Sequence, residues 1–222
     1  MKRLALIFIS LLFISFSVSC KANDVADIPS NAETTEDLAD IPADIEVTYI
    51  VADKVFFEDL KQVEDDATII VEADVRKNLG QNVSTHYDYE FKKEIPGAGY
   101  TKWEIEVTKV YKGDVKVDDK LVLLQDYYIW TDSDGKEQLV TITALTPAEK
   151  DRKYLMFLKY DVNNEGYWPV CDYEGMFSVP TDELKENVKA KTLEQVDLDV
   201  YNYEQLHHLI PIYSEVIKKY FD

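Results

Sequence analysis

Residues 67–75 read ATIIVEADV, and in them Ile69, Val71, Ala73 and Val75 alternate with Thr68, Ile70, Glu72 and Asp74. A two-residue period puts an apolar set on one side of an extended chain and a mostly polar set on the other, as in a half-buried antiparallel strand. The period recurs in residues 101–111, TKWEIEVTKVY, where Trp103, Ile105, Val107 and Tyr111 alternate with Glu104, Glu106 and Thr108. Further strands are expected at KLVLLQDYYIW (120–130), QLVTITAL (138–145), KYLMFLKY (153–160), GYWPV (166–170) and GMFSV (175–179). Between them lie Lys112-Gly113-Asp114, Ser133-Asp134-Gly135 and Asn163-Asn164-Glu165-Gly166, which carry turn chemistry. Many short strands at this spacing predict a mainly β chain folded as a small barrel or sandwich rather than a parallel sheet.

Outward from the strands the period changes. On the N-terminal side Val55, Phe56, Leu60 and Val63 fall near one face of a short helix, with Asp53 available as its cap. On the C-terminal side residues 203–221 have helical spacing in Ile212, Val216 and Tyr220, widened by Tyr213, Ile217 and Phe221. Pro211 suits the first turn of that helix or kinks a longer one. Residues 181–202 have no assignment at this level.

The first residues are of another kind. MKRLALIFISLLFISFSVSC places Lys2 and Arg3 before an uncharged apolar run and small residues before Cys20, the layout of a signal peptide over residues 1–19. A retained membrane helix is the weaker reading, because the run is short and an acidic stretch follows it. Ser17-Val18-Ser19-Cys20 fits a bacterial lipobox, although Ser17 stands at the place the pattern gives to Leu. Cleavage there makes Cys20 the lipidated N-terminus, membrane-held outside the cytoplasm. Residues 20–48 then read as an acidic flexible tether: seven acids, one base and no aromatic fall within 21–45, where ADIP occurs twice. A single domain is expected over 49–222.

Composition excludes some partners. The formal charge is −19, and losing Lys2 and Arg3 with the signal leaves 22 basic residues against 43 acidic ones, or −21. Nucleic acid is therefore not an expected partner, and adsorption to anionic lipid is opposed. With Cys20 acylated, Cys171 has no cysteine to pair with, so the core alone must hold the fold.

Three sets of side chains are candidates for chemistry or binding. In residues 127–130, YYIW, alternation places Tyr127 and Ile129 on one face and Tyr128 and Trp130 on the other. The plainer reading is core on both faces; the sharper one makes Tyr128 and Trp130 a stacking surface for a glycan or an envelope protein. Asp161, Asn163, Glu165 and Asp172 have the spacing of a calcium loop, with Gly166 at its sixth place, but they follow a strand, and a hairpin turn is the favoured reading. Glu104 with Glu106, and the run Glu64-Asp65-Asp66, are carboxylate pairs of the sort a hydrolase uses, though in so acidic a chain a solvated face explains them. Cys171 has no histidine beside it, and the adjacent His207 and His208 point to different helix faces. No cofactor motif is present.

Residues 57–179 resemble a group of uncharacterised bacterial secreted and lipid-anchored proteins with an OB-like barrel, similar in architecture to netrin modules and tissue inhibitors of metalloproteinases. The features that carry it are FEDLKQVEDDATIIVEADV (57–75), WEIEVTKVYKGDVKVDDKLVLL (103–124) and LTPAEKDRKYLMFLK (145–159). The resemblance implies a mainly β fold, a small OB-like antiparallel barrel with a short N-terminal helix and a C-terminal helix, and no reaction. The inhibitors chelate a protease zinc through a free N-terminal cysteine held by disulfides, whereas Cys20 is committed to lipid, so that activity is not carried over. The expected function is a non-catalytic binding or interaction module at the cell envelope. The alternatives are an envelope hydrolase using paired carboxylates and an inhibitor that presents barrel loops to a hydrolase.

Overall fold

The computed structural model describes residues 32–34, 41, 44–50, 56–141, 146–171, 174–190 and 203–222, with backbone only at 32–34, 190 and 203–208. The chain is mainly β, about half strand, with a partly closed barrel-like ring and three helices. The elements in chain order are β1 (Ala32–Thr34), β2 (Glu46–Tyr49), α1 (Leu60–Asp66), β3 (Ile69–Asp88), β4 (Lys93–Lys112), β5 (Lys120–Gln125), β6 (Tyr127–Thr131), β7 (Glu137–Thr141), β8 (Lys153–Asp161), β9 (Gly166–Pro169), β10 (Met176–Ser178), α2 (Asp182–Ala190) and α3 (Tyr203–Val216). A π turn, Ile217–Phe221, continues α3.

The ring runs β3-β4-β5-β9-β8 and returns to β3, with antiparallel pairing throughout except at β5 and β9, which meet in parallel at Leu123 and Tyr167. That strand order is an OB-like barrel. Its interior is filled by the alternating residues the sequence marks, Ile69, Val71, Ala73 and Val75 of β3 and Trp103, Ile105 and Val107 of β4, together with Tyr154, Met156 and Leu158 of β8. β8 is apolar on both faces because a second core lies outside the ring. There Leu155, Phe157 and Ile70 pack against Leu60 and Val63 of α1 and Leu209, Ile212, Tyr213 and Val216 of α3.

Two local expectations are corrected. Helix α1 begins at Leu60, later than its apolar spacing suggested, because the Asp59 carboxylate accepts the Gln62 N–H at 2.9 Å and caps the first turn; Asp53 lies outside the described residues. Tyr111 belongs to the helix-side core, not to the ring interior. Lys109 pairs with Glu72 and Val107 with Ala73, so a bulge at Thr108 inverts the alternation after Val107. Pro211 sits inside α3.

A second sheet, β2-β7-β6, stands beside the ring, with β2 parallel to β7. Strand β1 falls wholly, and β2 partly, within 20–48, the stretch expected to be a tether. Backbone pairing to an existing strand needs little apolar surface, which is why an acidic segment can supply both. No described helix is long and apolar enough to cross a membrane. Residues 1–19 and Cys20 lie outside the described residues.

Candidate functional site

Strands β3 and β4 are each 20 residues long, while the ring uses only part of each. β8 pairs with β3 as far as Asp74, and β5 pairs with β4 from Thr101 onward. The remaining residues, 77–88 of β3 and 93–100 of β4, extend beyond that as an arm in which 82–88 pair with 93–100. Register shifts beside Lys77, Gly80 and Thr85 bend and twist it away from the ring. At its tip the Asp88 carboxylate accepts the N–H groups of Glu90 (2.7 Å) and Phe91 (3.0 Å), and Lys92 takes a positive φ of 51° to turn the chain.

The tip displays aromatic rings. Tyr87, Tyr89 and Phe91 are 49%, 85% and 67% exposed, and the two tyrosines meet edge to face at 5.1 Å. Fully burying a side chain the size of Phe adds about 1.5–3 kcal/mol to a fold, so Tyr89 and Phe91, left mostly in water, contribute little of it. Asp88, Glu90 and Glu94 lie among them with Lys92 and Lys93.

The arm is braced on two sides. From the second sheet, buried Tyr128 donates its hydroxyl to the Gly97 carbonyl at 2.7 Å, and burial pushes its pKa up. Its ring occupies the place a Cβ at Gly99 would take. Gln81 clasps the backbone of Ile129 in both directions, accepting its N–H at 2.8 Å and donating to its carbonyl at 2.9 Å. From the β8–β9 hairpin, Asn164 accepts the Tyr100 hydroxyl at 2.9 Å, and Trp168 meets the Tyr100 ring edge to face at 5.4 Å. The arm therefore reaches out as a held element.

The candidates fall as follows. Tyr128 is fully buried and Tyr127 nearly so. The stacking surface of Tyr128 and Trp130 is corrected accordingly: Tyr128 is the wall against which the arm rests, and Trp130, half-buried at the cross-strand place facing Gln138, has no exposed ring beside it from that pair. Asp161 accepts from the Asn163 N–H (2.8 Å), Asn164 Nδ2 (2.6 Å) and Trp168 Nε1 (3.1 Å), and those donors hold its carboxyl below the usual range, Asn164 most of all. Its oxygens are engaged in closing the hairpin, as the turn reading of Asp161, Asn163 and Glu165 requires; Asp172 lies outside the described residues. Among the described residues no three His, Cys, Asp or Glu gather as a metal site.

The carboxylate pairs are separately matched to cations. Glu104 binds Lys120 at 2.8 Å, Glu106 binds Arg76 at 3.2 Å, Glu64 binds Lys219 and the Tyr220 hydroxyl, Asp65 binds Lys61, and Asp66 binds Lys159. Cys171 is half-buried with φ 59°. His86 is exposed on the arm, and the side chains of His207 and His208 lie outside the described residues. The sequence reading missed the arm, whose signal is the alternation of Tyr87, Tyr89 and Phe91 with Asp88 and Glu90 where no apolar strand pattern runs beside it. No family model, curated protein or solved structure matches this chain.

Proposed function

We propose that this chain is an extracytoplasmic bacterial lipoprotein, anchored through lipid on Cys20, that acts as a non-catalytic interaction module and meets an envelope protein through the tip of the β3–β4 arm. The observation that carries the reading is the exposure of Tyr89 and Phe91 at the end of a braced arm. Aromatic side chains with few rotatable bonds lose little freedom on docking and bring a large contact area, which makes them frequent anchors of interfaces. The pairing of each candidate carboxylate with its own cation favours interaction over hydrolysis. An inhibitor of an envelope hydrolase is one form this module could take.

Two measurements test the two halves. Mass spectrometry of the mature protein should find a diacylated Cys20 at the N-terminus; an unmodified terminus elsewhere removes the anchor. A photo-crosslinking residue placed at position 89 in intact cells should give a discrete adduct that one at exposed Val117 does not. Equal labelling from both positions, or none from either, removes the tip as the contact.

A further inference from the structure

Twice on the body of this chain a tyrosine ring, a carboxylate and a cation come together. Tyr220 donates its hydroxyl to Glu64 at 2.6 Å, and Lys219 binds the same carboxylate at 2.7 Å while standing over the Tyr220 ring at 5.7 Å. Tyr111 donates to Glu72, which Lys109 approaches to 3.6 Å from a place 4.5 Å from the centre of the Tyr111 ring. The cation is drawn to the ring face and to the carboxylate at once.

The arm tip has the rings and the carboxylate. Tyr87 is the cross-strand partner of Glu94, whereas Lys93 is the partner of Asp88, so alternation puts Lys93 on the opposite face from Tyr87 and Glu94. The Tyr89 ring meets Tyr87 at 77°, which makes an exposed aromatic corner on the side of the exposed Glu94. Among the described residues no lysine or arginine is paired with Glu94, and none stands over Tyr87, Tyr89 or Phe91.

We infer that this corner is a docking place for a basic side chain, arginine or lysine, of the partner protein, which stacks on Tyr87 and Tyr89 and pairs with Glu94. The inference rests on the tip contact proposed above and names its chemistry. The formal charge of −19 acts in the same sense, since it steers a basic surface toward this chain before contact is made.

The test is a titration of the purified full-length chain with the end-blocked peptide Gly-Arg-Gly-Arg-Gly, read from the NMR resonances of the Tyr87 and Tyr89 rings. The peptide should shift them saturably. The same peptide with citrulline for arginine, which keeps the shape and lacks the charge, should not. Glu94→Gln should weaken binding by about two- to fivefold. Asp114→Asn, which removes the same charge from the β4–β5 turn, should leave it unchanged, and amide spectra outside the arm show that both variants are folded. Absence of a shift, an equal shift with citrulline, or a Glu94→Gln effect no larger than that of Asp114→Asn overturns the inference. A crosslink from position 89 without a response to the peptide keeps the tip contact and removes its basic chemistry; a response without a crosslink removes the envelope-protein reading and keeps the cation site.

Discussion

The Tyr128 hydroxyl lies 2.7 Å from the Gly97 carbonyl oxygen, and the same ring leaves no room for a Cβ at Gly99, so one buried side chain fixes the arm at two points. Tyr128→Phe keeps the ring and loses the bond, which should cost about 0.5–1.5 kcal/mol. Gly99→Ala should cost about 1–3 kcal/mol, since its Cβ would meet the ring at 2.6 Å and the Asn82 carbonyl at 2.9 Å. Urea unfolding measures both. A Gly99→Ala variant as stable as the parent would show that the arm does not rest on Tyr128.

At the tip the expectation is the reverse. Tyr89→Ser with Phe91→Ser should change stability by less than about 0.5 kcal/mol, because neither ring packs on the core. The same double variant should lose the adduct formed by a crosslinker placed beside the tip. A large drop in unfolding midpoint would instead make these rings part of the fold.

Tyr220 supplies a pH dependence. Burial, and then its hydrogen bond to Glu64, raise its pKa well above the ordinary tyrosine value. A group raised on folding contributes stability that is complete below its unfolded pKa and lost as pH rises through the folded one. The window therefore opens above about pH 10, the unfolded tyrosine value. Burial also raises Tyr111, Tyr128 and Tyr167. Tyr220→Phe should be less stable at neutral pH and fall less steeply between pH 10 and 12, on the order of one tyrosine's share of the slope. Thermal unfolding followed across that range decides it, and an unchanged slope would contradict the assignment.

Calcium should do nothing at the β8–β9 turn. Adding it at millimolar concentration, or removing it with a chelator, should leave the melting temperature and the emission of Trp168 unchanged. Asp161→Ala should destabilise the hairpin, since it removes the acceptor for Asn163, Asn164 and Trp168, and Asp161→Asn should recover part of the loss. A calcium-induced rise in melting temperature that Asp161→Ala abolishes would restore the metal reading.

The ring was legible where burial imposes a period. Residues 69–75 and 103–107 face inward as their alternation requires, and the continuous apolar run 154–158 has a core on each side. Legibility stopped at Thr108, where one extra residue in the strand turned Tyr111 to the opposite face. It stopped again at Lys77: the arm is held by hydrogen bonds from Gln81, Asn82 and Tyr100 to partners 18 to 64 residues away, and polar contacts of that range leave no local hydrophobic pattern. Tyr128 stands out in the sequence as one of an alternating aromatic run, while its role depends on two distant glycines that give no signal of their own.

Closing the ring has a consequence for how quickly the molecule can form. The hydrogen bond from Thr68 to the Leu158 carbonyl joins residues 90 apart, and every β3–β8 rung around it brings together chain ends separated by nearly the whole barrel. Contacts of such long range come late, after the entropy of a large loop has been overcome, and they slow folding by orders of magnitude relative to local structure. β3 therefore gains its second neighbour in the ring only when β8, nearly the whole barrel later in the chain, is in place.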